Sequence, residues 1–189
     1  MHWLLQLEAI VATLSRHPIV ALQIRNKYHP NSWNIVASHI EKWSHTHPAQ
    51  CFVNGSIFPE ITCNRHLPEA QIGTYLTIQD RLMGASIHSL SALRNALNAG
   101  SSYVQYGAIF PTSKPVNPVG IKALQTICAR SSIPVLAVGG ISNVQRVQKC
   151  LSAGAYGVSV GSWVLQSKEP VLVIEQIIEE IVRFMSNPQ

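Results

Sequence analysis

The sequence lacks several features that would place it in a protein class at once. It has no run of 18 uncharged apolar residues, so we expect neither a membrane span nor a membrane partner. Its opening segment carries Glu8 and no basic start, so we expect no signal peptide and a cytoplasmic location. A GxGxxG motif is also missing, which removes the main argument for a dinucleotide-binding fold.

Metal-ligand patterns and charge clusters are missing as well. The four cysteines, Cys51, Cys63, Cys128 and Cys150, form no CxxC pair, and we expect reduced thiols that are mostly buried. Only 12% of the residues are charged, and the net charge of +5 is spread along the chain. This distribution argues against a nucleic-acid partner and suits a small anionic ligand, with phosphate the natural candidate.

What the sequence does contain is a regular alternation of apolar and helical segments. The predicted strands are 19–27, 51–54, 65–67, 84–88, 103–110, 133–138 and 157–160. The predicted helices are 32–43, 70–82, 89–98, 121–130, 143–153 and 171–185. Strands that are apolar throughout are typical of sheets covered on both faces, and their alternation with helices predicts parallel βαβ units. We expect a single domain over residues 1–189.

Two architectures fit this alternation, a doubly wound sheet and a TIM-type (βα)8 barrel. The last two predicted strands end in Gly139-Gly140 and Gly161-Ser162, and loops after the last two strands of such barrels commonly bind phosphate. We therefore predict the barrel, with a first strand near 2–6 that is short or missing. A missing strand would leave two unpaired sheet edges, which a homodimer could cover.

Four segments of the chain carry motif-like patterns in a fixed order. They are QIRNK at 23–27, GASIHS at 84–89, YGAIFPTSKP at 106–115 and IPVLAVGGI at 133–141. Together they resemble the thiamine-phosphate synthase/TenI family. The resemblance implies a (βα)8 barrel of thiamin biosynthesis whose ligand is a phosphorylated thiazole or thiamin phosphate. Synthases of this family join the thiazole phosphate to a pyrimidine diphosphate with the help of magnesium, whereas the TenI branch tautomerises a carboxylated thiazole phosphate with a histidine.

The resemblance also implies a set of substrate-binding residues at the strand ends. Basic side chains suit a diphosphate leaving group, because negative charge builds on it as the carbon–oxygen bond breaks. The expected phosphate and substrate contacts are Gln23, Arg25, Lys27, Asn54, Thr112, Ser113, Gly139, Gly140, Gly161 and Ser162. The expected catalytic residues are Lys114, Ser86, His88 and His66. The alternative is that the basic residues are ordinary solvated strand ends and that the glycine pairs form tight turns.

The metal positions of the synthases are altered here. Where those enzymes carry an Asn-Asp pair that helps to bind magnesium, this chain has Asn54-Gly55, and near the second metal carboxylate it offers only Glu69. Magnesium requires oxygen ligands in octahedral geometry. We therefore expect no certain cofactor, and magnesium only if other ligands replace these carboxylates.

The histidine of the TenI branch is also absent, since Ala108 stands in its place. His66 and His88 could transfer protons instead, because an unperturbed histidine titrates near neutral pH. Alternatively, each is a buried, hydrogen-bonded core residue. Three functions stay open: a divergent synthase, a thiazole tautomerase, and a non-catalytic relative that keeps only the phosphate site. A phosphosugar isomerase or epimerase is disfavoured by the lack of paired carboxylates.

Overall fold

Seven parallel strands form one sheet in the order of the chain. The structure is a computed structural model that describes residues 20–25, 50–55, 64–74 and 81–187. The strands are β1 (Ala21–Ile24), β2 (Gln50–Asn54), β3 (Asn64–Leu67), β4 (Met83–Ile87), β5 (Tyr103–Gly107), β6 (Val135–Val138) and β7 (Gly157–Ser159). The helices are α1 (Leu90–Asn98), α2 (Gly120–Cys128), α3 (Val144–Ser152), α4 (Ser162–Leu165) and α5 (Pro170–Ser186), and a 3₁₀ helix covers Glu69–Gln71.

The sheet is curved so strongly that side chains of its two outer strands, β1 and β7, contact a side chain of β5. Nε2 of Gln105, on β5, donates to Oε1 of Gln23 on β1 at 2.6 Å and lies 3.3 Å from Oγ of Ser159 on β7. Only a curved sheet can bring both outer strands to β5. The architecture is therefore the TIM-type barrel that the sequence predicts. The doubtful first strand, near 2–6, lies outside the described residues.

Side chains alternate between the barrel interior and an outer layer covered by helices. On β4 and β5 the outward-facing Ala85, Ile87 and Val104 are fully buried and belong to one apolar cluster with residues of α1, α2, α3 and α5. The inward-facing Ser86 and Gln105 of the same strands are register partners. The main hydrophobic core therefore lies between sheet and helices, which leaves the interior free for polar groups.

Helix starts follow local capping chemistry. Oγ of Ser89 accepts a hydrogen bond from the backbone N–H of Ala92 at 3.1 Å and begins α1. Oδ1 of Asn143 accepts from the backbone N–H of Arg146 at 2.9 Å and begins α3. Such caps satisfy backbone donors that a first turn leaves without a partner. Within the described residues, no helix combines the length and apolar character needed to cross a bilayer.

The predicted helix over 70–82 is wrong in its described part. The chain makes a single 3₁₀ turn over Glu69–Gln71, and Gly73 then takes a φ of +83°. That backbone conformation is open to glycine and ends the helical path. Residues 75–80 and the predicted helix over 32–43 lie outside the described residues, and the short helix α4 was not predicted.

Three of the four cysteines, Cys51, Cys128 and Cys150, lie in the described part of the chain. Cys51 and Cys150 are buried, and Cys128 is partly buried. Cys63 lies outside the described residues. The positions of the three described residues agree with the prediction of mostly buried cysteines.

Candidate functional site

A polar row crosses the barrel interior from β2 to β5. The strand register pairs Asn54 with His66, His66 with Gly84, and Gly84 with Tyr103. Partners in a parallel sheet point to the same face, so all four positions face inward. Ser86 lies two residues along β4 from Gly84 and therefore faces inward too. The predicted residues Asn54, His66 and Ser86, from three successive strands, thus share this face.

His66 is the centre of this row. Its Nδ1 lies 2.9 Å from the hydroxyl of Tyr103, and its Nε2 lies 2.8 Å from Oγ of Ser86. The side chain is fully buried, and this burial, together with the positive charge of Arg25, lowers the pKa of His66 to about 4. The imidazole is therefore neutral at neutral pH. His66 is the buried, hydrogen-bonded histidine of the alternative interpretation, and it does not titrate near neutrality.

Tyr103 reaches His66 because Gly84 has no side chain. A Cβ at Gly84 would lie 2.1 Å from Cζ of Tyr103, well inside van der Waals contact. The ring also packs edge-on against Phe52, with centroids 5.2 Å apart. Sequence reasoning missed Tyr103. The available signal was a tyrosine at the start of a buried strand, whose hydroxyl needs a hydrogen-bond partner.

His88 forms a second polar pair, just beyond the end of β4. Its Nδ1 lies 2.6 Å from Oε2 of Glu69, and the two side chains are 64% and 38% exposed. In contrast to His66, this histidine can meet a ligand from solvent. A carboxylate at one ring nitrogen orients the imidazole and leaves the other nitrogen available for proton transfer. The predicted catalytic residues thus occupy two different environments.

The loop after β5 carries Thr112, Ser113 and Lys114. The backbone N–H of Lys114 donates to Oγ1 of Thr112 at 3.1 Å, and the Ser113 and Lys114 side chains are exposed. The backbone N–H of Val119 donates to the carbonyl of Ala108 at 2.8 Å, which closes the base of the loop. The loop therefore holds an exposed ammonium group beyond the carboxyl end of β5.

The two glycine pairs differ in their surroundings. Gly139 and Gly140 have φ values of +93° and +69°, and Cβ atoms there would lie 2.6 Å from Cα of Ala108 and 2.5 Å from the carbonyl oxygen of Pro111. Both glycines are required by the packing of the β5 loop, whatever they bind. At Gly161, before Ser162 at the start of α4, a Cβ would meet nothing within 4 Å. The open approach to the backbone is at Gly161.

Arg146 is a second residue that sequence reasoning missed. Its Nη1 donates to the carbonyl of Gly140 and lies 3.1 Å from Oγ of Ser142, and its guanidinium lies 4.9 Å from the ring centroid of Phe110. It joins the loops after β5 and β6. The signal was a basic residue in the first turn of a helix, where the helix dipole disfavours positive charge.

The residues predicted at β1 are partly described. Gln23 faces the interior and binds Gln105, so its amide oxygen is already occupied. Arg25 follows the last residue of β1, is exposed, and acts electrostatically on His66. Lys27 lies outside the described residues.

The donor groups of the described residues do not fit magnesium. No group of three or more His, Cys, Asp or Glu residues within the described part of the chain could hold a metal ion. Asn54 offers an amide and Gly55 offers no side chain, while the carboxylate of Glu69 is engaged by His88. An octahedral set of hard oxygen ligands cannot be assembled from these three positions.

Comparisons with known proteins agree with this architecture. The model of the thiamine monophosphate synthase family matches residues 4–164. A thiamine-phosphate synthase of Chlorobium phaeovibrioides is 35% identical over 115 residues, which cover 59% of this chain and 54% of that protein. One from Pyrococcus abyssi is 38% identical over 106 residues, which cover 53% and 51%. The matched part of the chain thus spans about half the length of these relatives.

A solved structure resembles the fold over nearly the whole chain. The thiamine phosphate pyrophosphorylase of Pyrococcus furiosus superposes with a TM-score of 0.75 at 22% identity. The superposition covers 92% of this chain and 89% of that one. At this level of identity the likeness concerns the fold alone.

Proposed function

This chain belongs to the thiamine monophosphate synthase family, and from that premise we propose that it binds a phosphorylated thiazole at the carboxyl ends of its strands and joins it to a pyrimidine diphosphate. The joining step forms a bond between the two heterocycles, breaks the carbon–oxygen bond to the diphosphate, and releases diphosphate with the bonding electrons. The protein would then be a transferase of thiamin biosynthesis.

One observation carries the proposal. Four predicted residues of the described part, Gln23, Asn54, His66 and Ser86, face the barrel interior, and the others lie after the carboxyl ends of strands or in the loops that follow them. All strands are parallel, so these ends meet at one rim, which is where TIM-type barrels bind their substrates. The rim collects hydroxyl, amide and basic groups and no carboxylate apart from Glu69 among the predicted residues. Such a set favours an anionic ligand.

Each group has a role that follows from its position. Gly161 leaves backbone N–H groups open to phosphate oxygens, with the hydroxyl of Ser162 beside them. Thr112 and Ser113 offer hydroxyls next to Lys114. Lys114 and Arg25 would balance the charge that grows on the departing diphosphate, and Lys27 is proposed to join them. The described residues do not fit magnesium, so these roles fall to the protein's own basic and hydroxyl groups.

The test is binding followed by turnover. A ligand at 100 times its Kd adds about 2.7 kcal/mol to the stability of the folded state, which for a chain of this size raises Tm by about 5 to 10 °C. We expect thiamin phosphate or thiazole phosphate to produce such a rise. Product formation from thiazole phosphate and the pyrimidine diphosphate, with magnesium added to the buffer, should exceed background.

Lys114→Ala is the informative variant. Lys114 is exposed, so folding should be unaffected, while loss of a charge-assisted hydrogen bond should weaken ligand binding by roughly 10- to 100-fold. Lys149→Ala, in the last turn of α3, is the matched control and should bind as the wild type does. An unchanged Tm with millimolar thiamin phosphate and inorganic phosphate contradicts binding. A normal Tm rise without product contradicts transfer and leaves a phosphate-binding relative.

The pair of His88 and Glu69 favours a second candidate, a thiazole tautomerase. Tautomerisation moves one proton from carbon to another ring position and requires a group that accepts it and then returns it. Ala108 cannot do this, but an imidazole held at 2.6 Å by a carboxylate and open to solvent can. Turnover of carboxylated thiazole phosphate that is lost in His88→Gln and reduced in Glu69→Gln would support it. Equal rates in wild type and His88→Gln would exclude it.

A further inference from the structure

Tyr103, His66 and Ser86 are joined by two hydrogen bonds that lead from the start of β5 toward the carboxyl end of β4. The two distances are 2.9 Å, from the Tyr103 hydroxyl to Nδ1, and 2.8 Å, from Nε2 to Oγ of Ser86. His66 is fully buried, whereas Tyr103 and Ser86 are both partly exposed. Tyr103 begins β5, whereas Ser86 lies near the carboxyl end of β4, at the rim where TIM-type barrels bind their substrates. Ser86 is therefore the member of this group that a ligand can reach.

Which atom donates in each of the two hydrogen bonds depends on how many protons the imidazole of His66 carries. A neutral imidazole has one N–H and one lone pair, so it donates through one nitrogen and accepts through the other. Burial lowers the pKa of His66 to about 4 and raises the pKa of Tyr103, so the ring is neutral and the phenol keeps its proton. Two arrangements remain, which differ in the nitrogen that carries the proton.

The Tyr103 hydroxyl decides between them. Within the described part of the chain its one hydrogen-bond partner is Nδ1 of His66. If Nδ1 carried the proton, it would donate to the tyrosine oxygen, and the phenolic proton would have no acceptor among the described residues. A shielded donor without an acceptor is disfavoured by roughly tenfold or more. Tyr103 therefore donates to Nδ1, the imidazole proton is on Nε2, and Nε2 donates to Ser86.

The tyrosine cannot easily turn away to find another acceptor. Its ring fills the space over Gly84, where a Cβ would lie 2.5 Å from the hydroxyl oxygen, and its edge-on contact with Phe52 is nearly perpendicular at 83°. The glycine of the GASIHS segment thus makes room for the residue that orients its serine.

We propose that Tyr103 and His66 are positioning residues that fix the hydroxyl of Ser86 as a hydrogen-bond donor toward a lone-pair-bearing acceptor atom of the bound ligand. Ser86 receives the Nε2–H of His66, so its own proton is free to point outward. In this arrangement His66 cannot deprotonate Ser86, and the serine binds and orients the ligand but is not a nucleophile. The ligand half of the proposal rests on the proposed function, whereas the tautomer of His66 does not.

The tautomer is tested in the ligand-free protein. Long-range ¹H–¹⁵N correlation spectra at pH 7 distinguish a protonated from an unprotonated ring nitrogen. We expect His66 to show an unprotonated Nδ1 and a protonated Nε2, with its signals identified by their loss in His66→Gln. If that variant does not fold, through-space contacts to the Tyr103 ring, 5.5 Å away between centroids, identify them in the wild type. A protonated Nδ1 would overturn the proposal.

Tyr103→Phe tests the coupling to Ser86. It keeps the ring and removes only the donor, so we expect the Nδ1–H tautomer to gain population and thiamin phosphate to bind about fivefold more weakly or worse. Tyr156→Phe, 68% exposed, is the control and should change neither. An unaltered His66 tautomer in Tyr103→Phe would overturn the relay. If the tautomers behave as expected but neither wild type nor variant binds thiamin phosphate, the proposed function fails while the assignment of protons holds.

Discussion

At the scale of single residues, the two histidines at the site show how position decides chemistry. His66, on β3, and His88, just after β4, were predicted for the same role. One is fully buried between two hydroxyls, and the other is 64% exposed beside a carboxylate. Burial disfavours the charged form of an imidazole, so only the exposed histidine is suited to exchange protons with a ligand. His66 instead connects Tyr103 and Ser86 through hydrogen bonds in the barrel interior.

The depressed pKa of His66 makes a prediction about stability. Because the folded-state pKa, about 4, lies below the ordinary value of 6.5, the unfolded chain binds more protons between these pH values. The contribution of His66 is fully present above pH 6.5 and is lost as the pH falls to 4. We expect its share of the unfolding free energy to fall by up to about 1.4 kcal/mol per pH unit in this window.

Urea denaturation at pH 7, 6, 5 and 4 gives the unfolding free energy of wild type and of His66→Gln. The difference between the two proteins in how this free energy changes with pH measures the share of His66. Carboxylates and the other histidines titrate in both proteins, so their contributions cancel in that difference. If the unfolding free energies of the two proteins changed with pH in the same way, the pKa of His66 would not be lowered in the folded state.

At the scale of elements, neighbouring strands have sequences that fit each other. Gly84 on β4 and Tyr103 on β5 are register partners, and the tyrosine ring takes the volume that any side chain on β4 would need. Gly139 and Gly140 likewise leave space, which is occupied by the backbone of the loop after β5. The glycines at the strand ends therefore serve the packing of adjacent segments, in addition to any phosphate that they help to bind.

Gly84→Ala should therefore disturb the site as well as the fold. The added methyl group would overlap the Tyr103 ring, and such overpacking typically costs about 1–3 kcal/mol. We expect a lower urea midpoint and a displaced Tyr103 that no longer reaches His66. Gly161→Ala is the matched control for stability, since the space around Gly161 is open and its φ is −123°. Equal midpoints for Gly84→Ala and wild type would mean that the ring does not lie over Gly84.

At the scale of the whole molecule, the curvature of the sheet is held by polar side chains in its interior. Gln105 connects β5 to the two outer strands of the described sheet, β1 and β7. These contacts span 82 and 54 residues of sequence, so they link segments that no local interaction joins. Inward-pointing side chains from alternate strands form such layers in TIM-type barrels.

Gln105→Leu should loosen this connection. The leucine fills a similar volume but leaves the amide of Gln23 and the hydroxyl of Ser159 without their partner, at a cost of about 1–3 kcal/mol for buried polar groups. Urea denaturation measures the loss, and faster backbone hydrogen exchange in β1 would locate it. Gln125→Leu, on the exposed side of α2, is the control. Equal stabilities of the two variants would mean that the interior amide is dispensable.

Much of the fold followed from the sequence by itself. Apolar strands, glycine-marked strand ends and capped helices are local signals, and they predicted the parallel barrel and helices α1, α2, α3 and α5 to within about two residues. Local signals failed over residues 70–74, where a helical pattern could not be weighed against the left-handed backbone of Gly73. Motif order also identified the family and the residues to examine, because ligand-binding side chains sit at strand ends that the chain places in a fixed sequence.

Only the tertiary structure decided what these residues can do. That His66 is neutral, that it holds Ser86, that Tyr103 stands behind it and that Gln105 joins both outer strands all depend on contacts between segments distant in sequence. The type of a residue determines which protons it can carry. Its pKa, and whether it donates or accepts a hydrogen bond, are set by burial and by its partners. Those partners exist only once the parallel strands have curled around a common interior.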